Sequence, residues 1–210
     1  MILKKISLST ILLFCFTITT FSQENLNKKT DGISFLKDQS KLNIQFNYEG
    51  MLIVDKPEGT FLTEKQNEKN AKEPGAGDRW FIAWQHNKTD DFPRRFKVLF
   101  NKYIAKKPLR AVSDSTVEYT LIIKTLKMDP SLYSGGGHNA HADLEFLFVK
   151  TTEPEKILCK LRLKEVQGSA GFASFDEGLR MQECYAVAGR LIAKYIIKNA
   201  YKKSRVNKNI

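Results

Sequence analysis

Three stretches in the second half of the chain alternate apolar and polar residues, and this alternation constrains the fold more than any motif does. In "VEYTLIIKTL" Val117, Tyr119, Leu121 and Ile123 share a face. In "ADLEFLFV" Ala142, Leu144, Phe146 and Phe148 do so, and in "ILCKLRLKEV" Ile157, Cys159, Leu161 and Leu163. A period of two over such lengths is that of a half-buried strand. An earlier run, "NIQFNYEGMLIV", sets Ile44, Phe46 and Tyr48 against Gln45, Asn47 and Glu49 in the same way. A sheet with one oily face needs a layer of helices over it.

The helices are legible too. Residues 57–77 are rich in Lys, Glu and Asn and read as a solvated helix or loop ending at "EPGAG". Asp78 is placed to cap a helix carrying Trp80, Phe81 and Trp84. A further helix follows Asp90 and Asp91, with Pro93 in its first turn and Phe92, Phe96, Leu99, Phe100, Tyr103 and Ile104 as a core stripe. After "GSAGFA", Ser174 and Glu177 have capping-box spacing, and Met181, Cys184, Ala188, Leu191, Ile192 and Tyr195 mark the inner face of a long last helix. The order predicts an α+β two-layer sandwich: one mostly antiparallel sheet of about four strands, covered on one face by helices. At 210 residues and 42% hydrophobic the chain can bury one substantial core, so a single domain over 43–200 is expected.

The first residues read as a secretory signal. Lys4 and Lys5 precede an apolar run from Ile6 to Phe21, and small residues at Thr20 and Ser22 place cleavage after Ser22. The run is interrupted by Ser and Thr and is shorter than the roughly 20 residues of a membrane span. Phe14 before Cys15 does not suit a lipid-attachment site. Export and a location in the periplasm or at the cell surface follow as expectations. Losing residues 1–22 removes two lysines from a net charge of +11 and leaves +9. Residues 23–42 are expected to be a flexible segment and 201–210 a basic tail. Cys159 and Cys184 remain, at apolar positions, as buried thiols or as a disulfide in an oxidising compartment.

The segment "GGGHNAHAD" offers the most tempting chemistry. His141, Asp143 and Glu145 fall on one strand face about 6.8 Å apart, and with His138 they make a weak candidate metal site at His138, His141 and Asp143. A hairpin closed by "TTEPEK" offers a simpler account. If facing residue numbers sum to 307, Asp143 meets Lys164, Glu145 meets Arg162 and Phe146 meets Leu161, which is ordinary cross-strand pairing. Gly135–Gly137 lead into a strand and not a helix; "GAGD" and "GSAG" lack the nucleotide and hydrolase fingerprints. No catalytic set and no cofactor is legible, although a carboxylate pair would assemble only in the fold.

Two surfaces remain. On the outer face of the sheet, Ile122, Leu147, Val149 and Leu158 form an apolar cluster, with Val149 opposite Leu158, that suits self-association or an envelope protein unless the 57–77 segment covers it. Beyond Arg190 the chain carries cations and no acid. Lys198, Lys202, Lys203, Arg205 and Lys208 complement a helix C-terminus or make a weak contact with anionic lipid or glycan. Nucleic acid is not expected.

"FNYEGMLIV", "KEPGAGDRW" and "FDEGLRMQECYAVAGRLIAKYI" resemble stretches of a group of exported Gram-negative bacterial proteins of uncharacterised function, over most of the exported chain. The element order is similar to the amino-terminal domain of TolB-type periplasmic proteins, in topology alone, which implies a fold used for protein contacts. The resulting expectation is an exported, non-enzymatic binding or assembly module of the cell envelope. A hydrolase acting on envelope or dietary glycans is the alternative.

Overall fold

The computed structural model describes residues 32–131, 140–168 and 176–201. In chain order the strands are β1 (Lys41–Asn47), β2 (Leu52–Ile53), β3 (Lys56–Pro57), β4 (Arg110–Val112), β5 (Tyr119–Asp129), β6 (His141–Lys150) and β7 (Glu153–Gln167). The helices are α1 (Glu58–Lys72), α2 (Ala76–His86), α3 (Phe92–Ile104) and α4 (Glu177–Ala200); a π-helical turn, Asn87–Asp91, joins α2 to α3.

The protein is mixed α and β, but its sheet differs from the expected four antiparallel strands. Among the described residues it has seven strands and is mixed in direction. β1 lies between β5 and β4 and runs parallel to both, with Ile44 opposite Leu121 and Phe46 opposite Ile123. β2 joins β5 in parallel farther along, at Lys127 and Met128. β5, β6 and β7 form an antiparallel meander that includes the expected hairpin. Periodicity reports which side chains share a face but not which strand lies alongside or in which direction. β2, β3 and β4 are also too short to show a period.

The hairpin register matches the sum of 307 from Leu144↔Leu163 to Phe148↔Cys159 and breaks at both ends. A bulge pairs Val149 with Ile157, so Leu158 becomes the extra residue and packs against the core cluster rather than opposite Val149. A second bulge puts Glu165 at φ 50°, where its N–H donates to Asp143 Oδ1 at 2.8 Å. Asp143 therefore does not meet Lys164. The ion pairs run diagonally, Glu145 to Lys160 at 2.6 Å and Asp143 to Arg162 at 3.6 Å, although Glu145 and Arg162 are the backbone partners. In a twisted ladder diagonal neighbours are within reach of long side chains.

The core lies between the sheet and the parallel pair α3 and α4. Phe92, Phe96, Phe100 and Ile104 recur every fourth residue and are fully buried, each worth about 1.5–3 kcal/mol of transfer free energy. Phe96 meets Phe46 of β1 and Phe146 of β6, at centroid distances of 5.8 and 6.4 Å, and Phe92 stacks on Tyr185 of α4 at 4.8 Å. Gly189 sets the helix spacing: a Cβ there would stand 2.3 Å from the Phe96 carbonyl oxygen. Leu191 is 37% exposed and Tyr195 half-buried, so neither is fully inside.

Other expectations need correction. Asp78 does not cap α2; Gly75, at φ 78°, occupies that position. The Asp78 carboxylate instead accepts from Gln66 and Asn70, tying α2 to α1. Asp176 caps α4 by accepting from the Leu179 N–H; Ser174 lies outside the described residues. The packed unit begins before Asn43, since Ile33 and Leu36 of a 3₁₀ turn are buried in the core. α1 packs on α2 rather than crossing the outer sheet face.

Candidate functional site

An open groove of about 1370 Å³ lies between the β1–β4 edge of the sheet and the α2–α3 segment. Ile44, Phe46 and Ala111 form its floor, and Tyr48 and the π turn Lys88–Asp90 close one end. Pro93, Lys97, Val98 and Asn101 of α3 form the wall, with Arg94 and Lys102 on the rim.

The sequence explains the wall. Pro93 has no N–H and its ring crowds the carbonyl four residues back, so the helix cannot pass through it with regular α geometry. The π turn at Asn87–Asp91 widens the backbone there, as such insertions do at functional sites. The Lys88 carbonyl accepts from the Tyr48 hydroxyl at 3.0 Å. The Lys88 ammonium lies 5.0 Å from the Tyr48 ring centroid and pairs with Glu58 at 2.5 Å. Backbone and side chain of one residue thus clamp Tyr48.

Tyr48 begins a buried hydroxyl chain. The Tyr185 and Thr125 hydroxyls lie 2.6 Å apart, and the Tyr48 hydroxyl is close enough to Tyr185 for the two to interact. The Tyr48 proton goes to the Lys88 carbonyl, and in the Tyr185–Thr125 pair either hydroxyl can donate. Burial pushes both tyrosine hydroxyls above the usual range. They serve as neutral hydrogen-bonding groups, not as proton donors to a reaction near neutral pH.

At the other end Asn101 seals the sheet edge. Its Nδ2 donates to the Ala111 carbonyl at 3.0 Å and its Oδ1 accepts the Ala111 N–H at 2.7 Å. The Arg110 N–H bonds to Ser40 beside β1, so the next peptide group along β4 faces outward, and one amide side chain takes both of its hydrogen bonds. Asp90 is the carboxylate among the groove's described lining residues, and it already faces His86 Nδ1 at 3.3 Å. The two-carboxylate route to glycoside cleavage would need a second carboxylate facing it.

The residues singled out by sequence lie elsewhere. His141 and Asp143 are on β6, where Asp129 and Lys127 are their β5 neighbours. Among the described residues no group of three His, Cys, Asp or Glu side chains could hold a metal ion; His138 lies outside them. Ile122 and Leu147 are paired on the outer sheet face and only partly exposed, Val149 is 1% exposed, and Leu158 packs on the core cluster. Lys198 is exposed in the last turn of α4; Lys202, Lys203, Arg205 and Lys208 lie outside the described residues. Cys159 and Cys184 are both buried, and no disulfide joins them. Among the described residues no helix is long and apolar enough to cross a membrane.

The groove escaped the sequence reading because its members come from five separate elements, β1, α2, the π turn, α3 and β4. Two signals were available: a proline directly after "TDDF", and a polar Asn101 next to the apolar stripe.

No protein-family model and no curated protein matches the chain. Two solved structures are similar at a low level. One is the PelC dodecamer from Paraburkholderia phytofirmans, at 6% identity and TM-score 0.32, covering 78% of this chain and 93% of that one. The other is a neuraminyllactose-binding hemagglutinin homolog from Helicobacter pylori, at 10% identity and TM-score 0.31, covering 82% of this chain and 91% of that one. Similarity this low carries no functional argument.

Proposed function

We propose that this protein is an exported, non-enzymatic binding or assembly module of the bacterial envelope, and that the groove is its contact site. The observation that carries this reading is the groove's composition. An apolar floor of Ile44, Phe46 and Ala111 runs beneath Lys97 of the wall and the rim residues Arg94 and Lys102. An extended segment of an envelope protein bearing acidic side chains matches both: its apolar residues enter the floor and its carboxylates meet the rim. Asn101 occupies the outward bonds of β4, so such a segment is held by side chains and not by strand addition.

Site-specific photo-crosslinking in cells tests the reading. A photoreactive residue at Val98, on the groove wall, is expected to capture one reproducible envelope partner, while one at His141, far from the groove, does not. The same capture pattern from both positions, or none from Val98 at normal expression, would refute it.

A further inference from the structure

We infer that the outer face of α3 and α4, at their shared C-terminal end, docks the protein onto a bilayer carrying anionic headgroups. This face borders the groove and shares Val98 and Lys102 with it, but binding to vesicles needs no protein partner in the groove.

Two acid-free stretches far apart in sequence meet there. From Phe92 to Ser113 the chain carries cations and no Asp or Glu, and the same holds from Cys184 to Tyr201. Parallel packing of α3 and α4 sets these stretches side by side: Arg95 pairs with Glu183 near the start, Gly189 meets the Phe96 backbone, and Lys194 lies over the Tyr103 ring, 5.3 Å from its centroid. Lys102, Lys106, Lys194 and Lys198 are consequently exposed on one face. Asp38, which acts on Tyr201, is an acid that the fold brings to this end.

Helix dipoles do not account for so much charge. Each C-terminus carries about half a negative charge. That of α3 is already served by Arg110, whose guanidinium donates to the carbonyls of Ala105, Lys107 and Leu109. The four exposed lysines are in excess of what two helix ends offset.

The apolar residues among them favour a bilayer over a soluble polyanion. Val98 is 51% exposed, and Tyr103 and Leu191 are each 37% exposed. Apolar side chains between lysines enter the boundary between headgroup and acyl chain while the lysine stems extend towards the phosphates.

The test uses the chain from Gln23 onward, which keeps every described residue and removes the apolar leader. Co-sedimentation is measured with phosphatidylcholine vesicles with and without phosphatidylglycerol. Binding is expected to the anionic vesicles alone and to vanish near 1 M salt, where the Debye length is about 3 Å. Replacing Lys102, Lys106, Lys194 and Lys198 by Gln is expected to weaken it by about 100-fold or more, since each lysine near such a surface contributes roughly fivefold. Val98→Ser with Leu191→Ser weakens vesicle binding while leaving binding to dextran sulfate unchanged. Circular dichroism and thermal melts confirm that each variant is folded; if the quadruple Gln variant is not, the pairs Lys102→Gln with Lys106→Gln and Lys194→Gln with Lys198→Gln are read separately. Unchanged binding in folded variants overturns the inference. So does binding that is lost only when Lys202, Lys203, Arg205 and Lys208 are replaced by Gln, or affinity for dextran sulfate without affinity for vesicles.

Discussion

The hydroxyl of Tyr185, on α4, lies 2.6 Å from that of Thr125, on β5, and both residues are fully buried. This bond ties the long helix to the sheet. Removing one member strands the other. Tyr185→Phe is expected to lower the unfolding free energy by about 1–3 kcal/mol, since buried hydroxyl partners are left unsatisfied. Urea unfolding measures this, and a double-mutant cycle with Thr125→Val is expected to show coupling; simple additivity would deny the bond its role.

Alkaline pH should weaken the fold before any change in secondary structure is visible. Burial pushes the Cys184 thiol from 9.0 up to about 12 and raises the hydroxyls of Tyr48 and Tyr185 above 10.0. In the unfolded chain these groups ionise at their ordinary values while the folded state keeps its protons. The unfolded state therefore binds fewer protons, and stability falls as pH rises. The decline begins near pH 9 and steepens above 10, by up to about 1.4 kcal/mol per pH unit for each group. Unfolding midpoints across this window measure it, and Cys184→Ala is expected to flatten the first part.

Two glycine substitutions should act in opposite directions. Gly189→Ala drives a methyl into the Phe96 carbonyl and forces α3 away from α4, at an expected cost of about 3 kcal/mol. Gly59→Ala, in α1, meets nothing within 4 Å and is expected to stabilise by about 0.5–1 kcal/mol through the lower entropy of the unfolded chain. Thermal melts distinguish them, and a neutral Gly189→Ala would show that the helix spacing is adjustable.

Asn101→Leu should open the sheet edge. The variant keeps the side chain's bulk but leaves the outward N–H and C=O of Ala111 without their partner. A loss of about 1–2 kcal/mol is expected, together with concentration-dependent association in sedimentation, because an unpaired edge templates strand addition. A variant that stays monomeric at high concentration would show that β4 is too short to recruit a partner.

Much of this protein is determined by local period. The strand faces of Leu121, Phe146 and Leu161 and the Phe92–Ile104 stripe follow from repeats of two and of three to four, because burying one face is the same problem in any tertiary context. The central hairpin register followed as well, although the chain turns at Thr151–Thr152 rather than through the expected loop over 151–156, and irregular pairing beside the turn restores the register. The ends of that hairpin did not follow: bulges at Leu158 and Glu165 answer to twist and packing beyond the two strands.

Tertiary structure alone decided the rest. Whether β1 paired with β4 and β5 in parallel depended on a helical crossover whose path no periodicity reports. That insertion brought Ile44 and Phe46 beneath Lys97 and Val98 and so created the groove. Parallel packing of α3 on α4, made possible by the missing side chain at Gly189, joined two basic stretches that the sequence keeps far apart. Sites made by juxtaposition depend on long-range packing, and a one-dimensional pattern carries only the short-range part of that information.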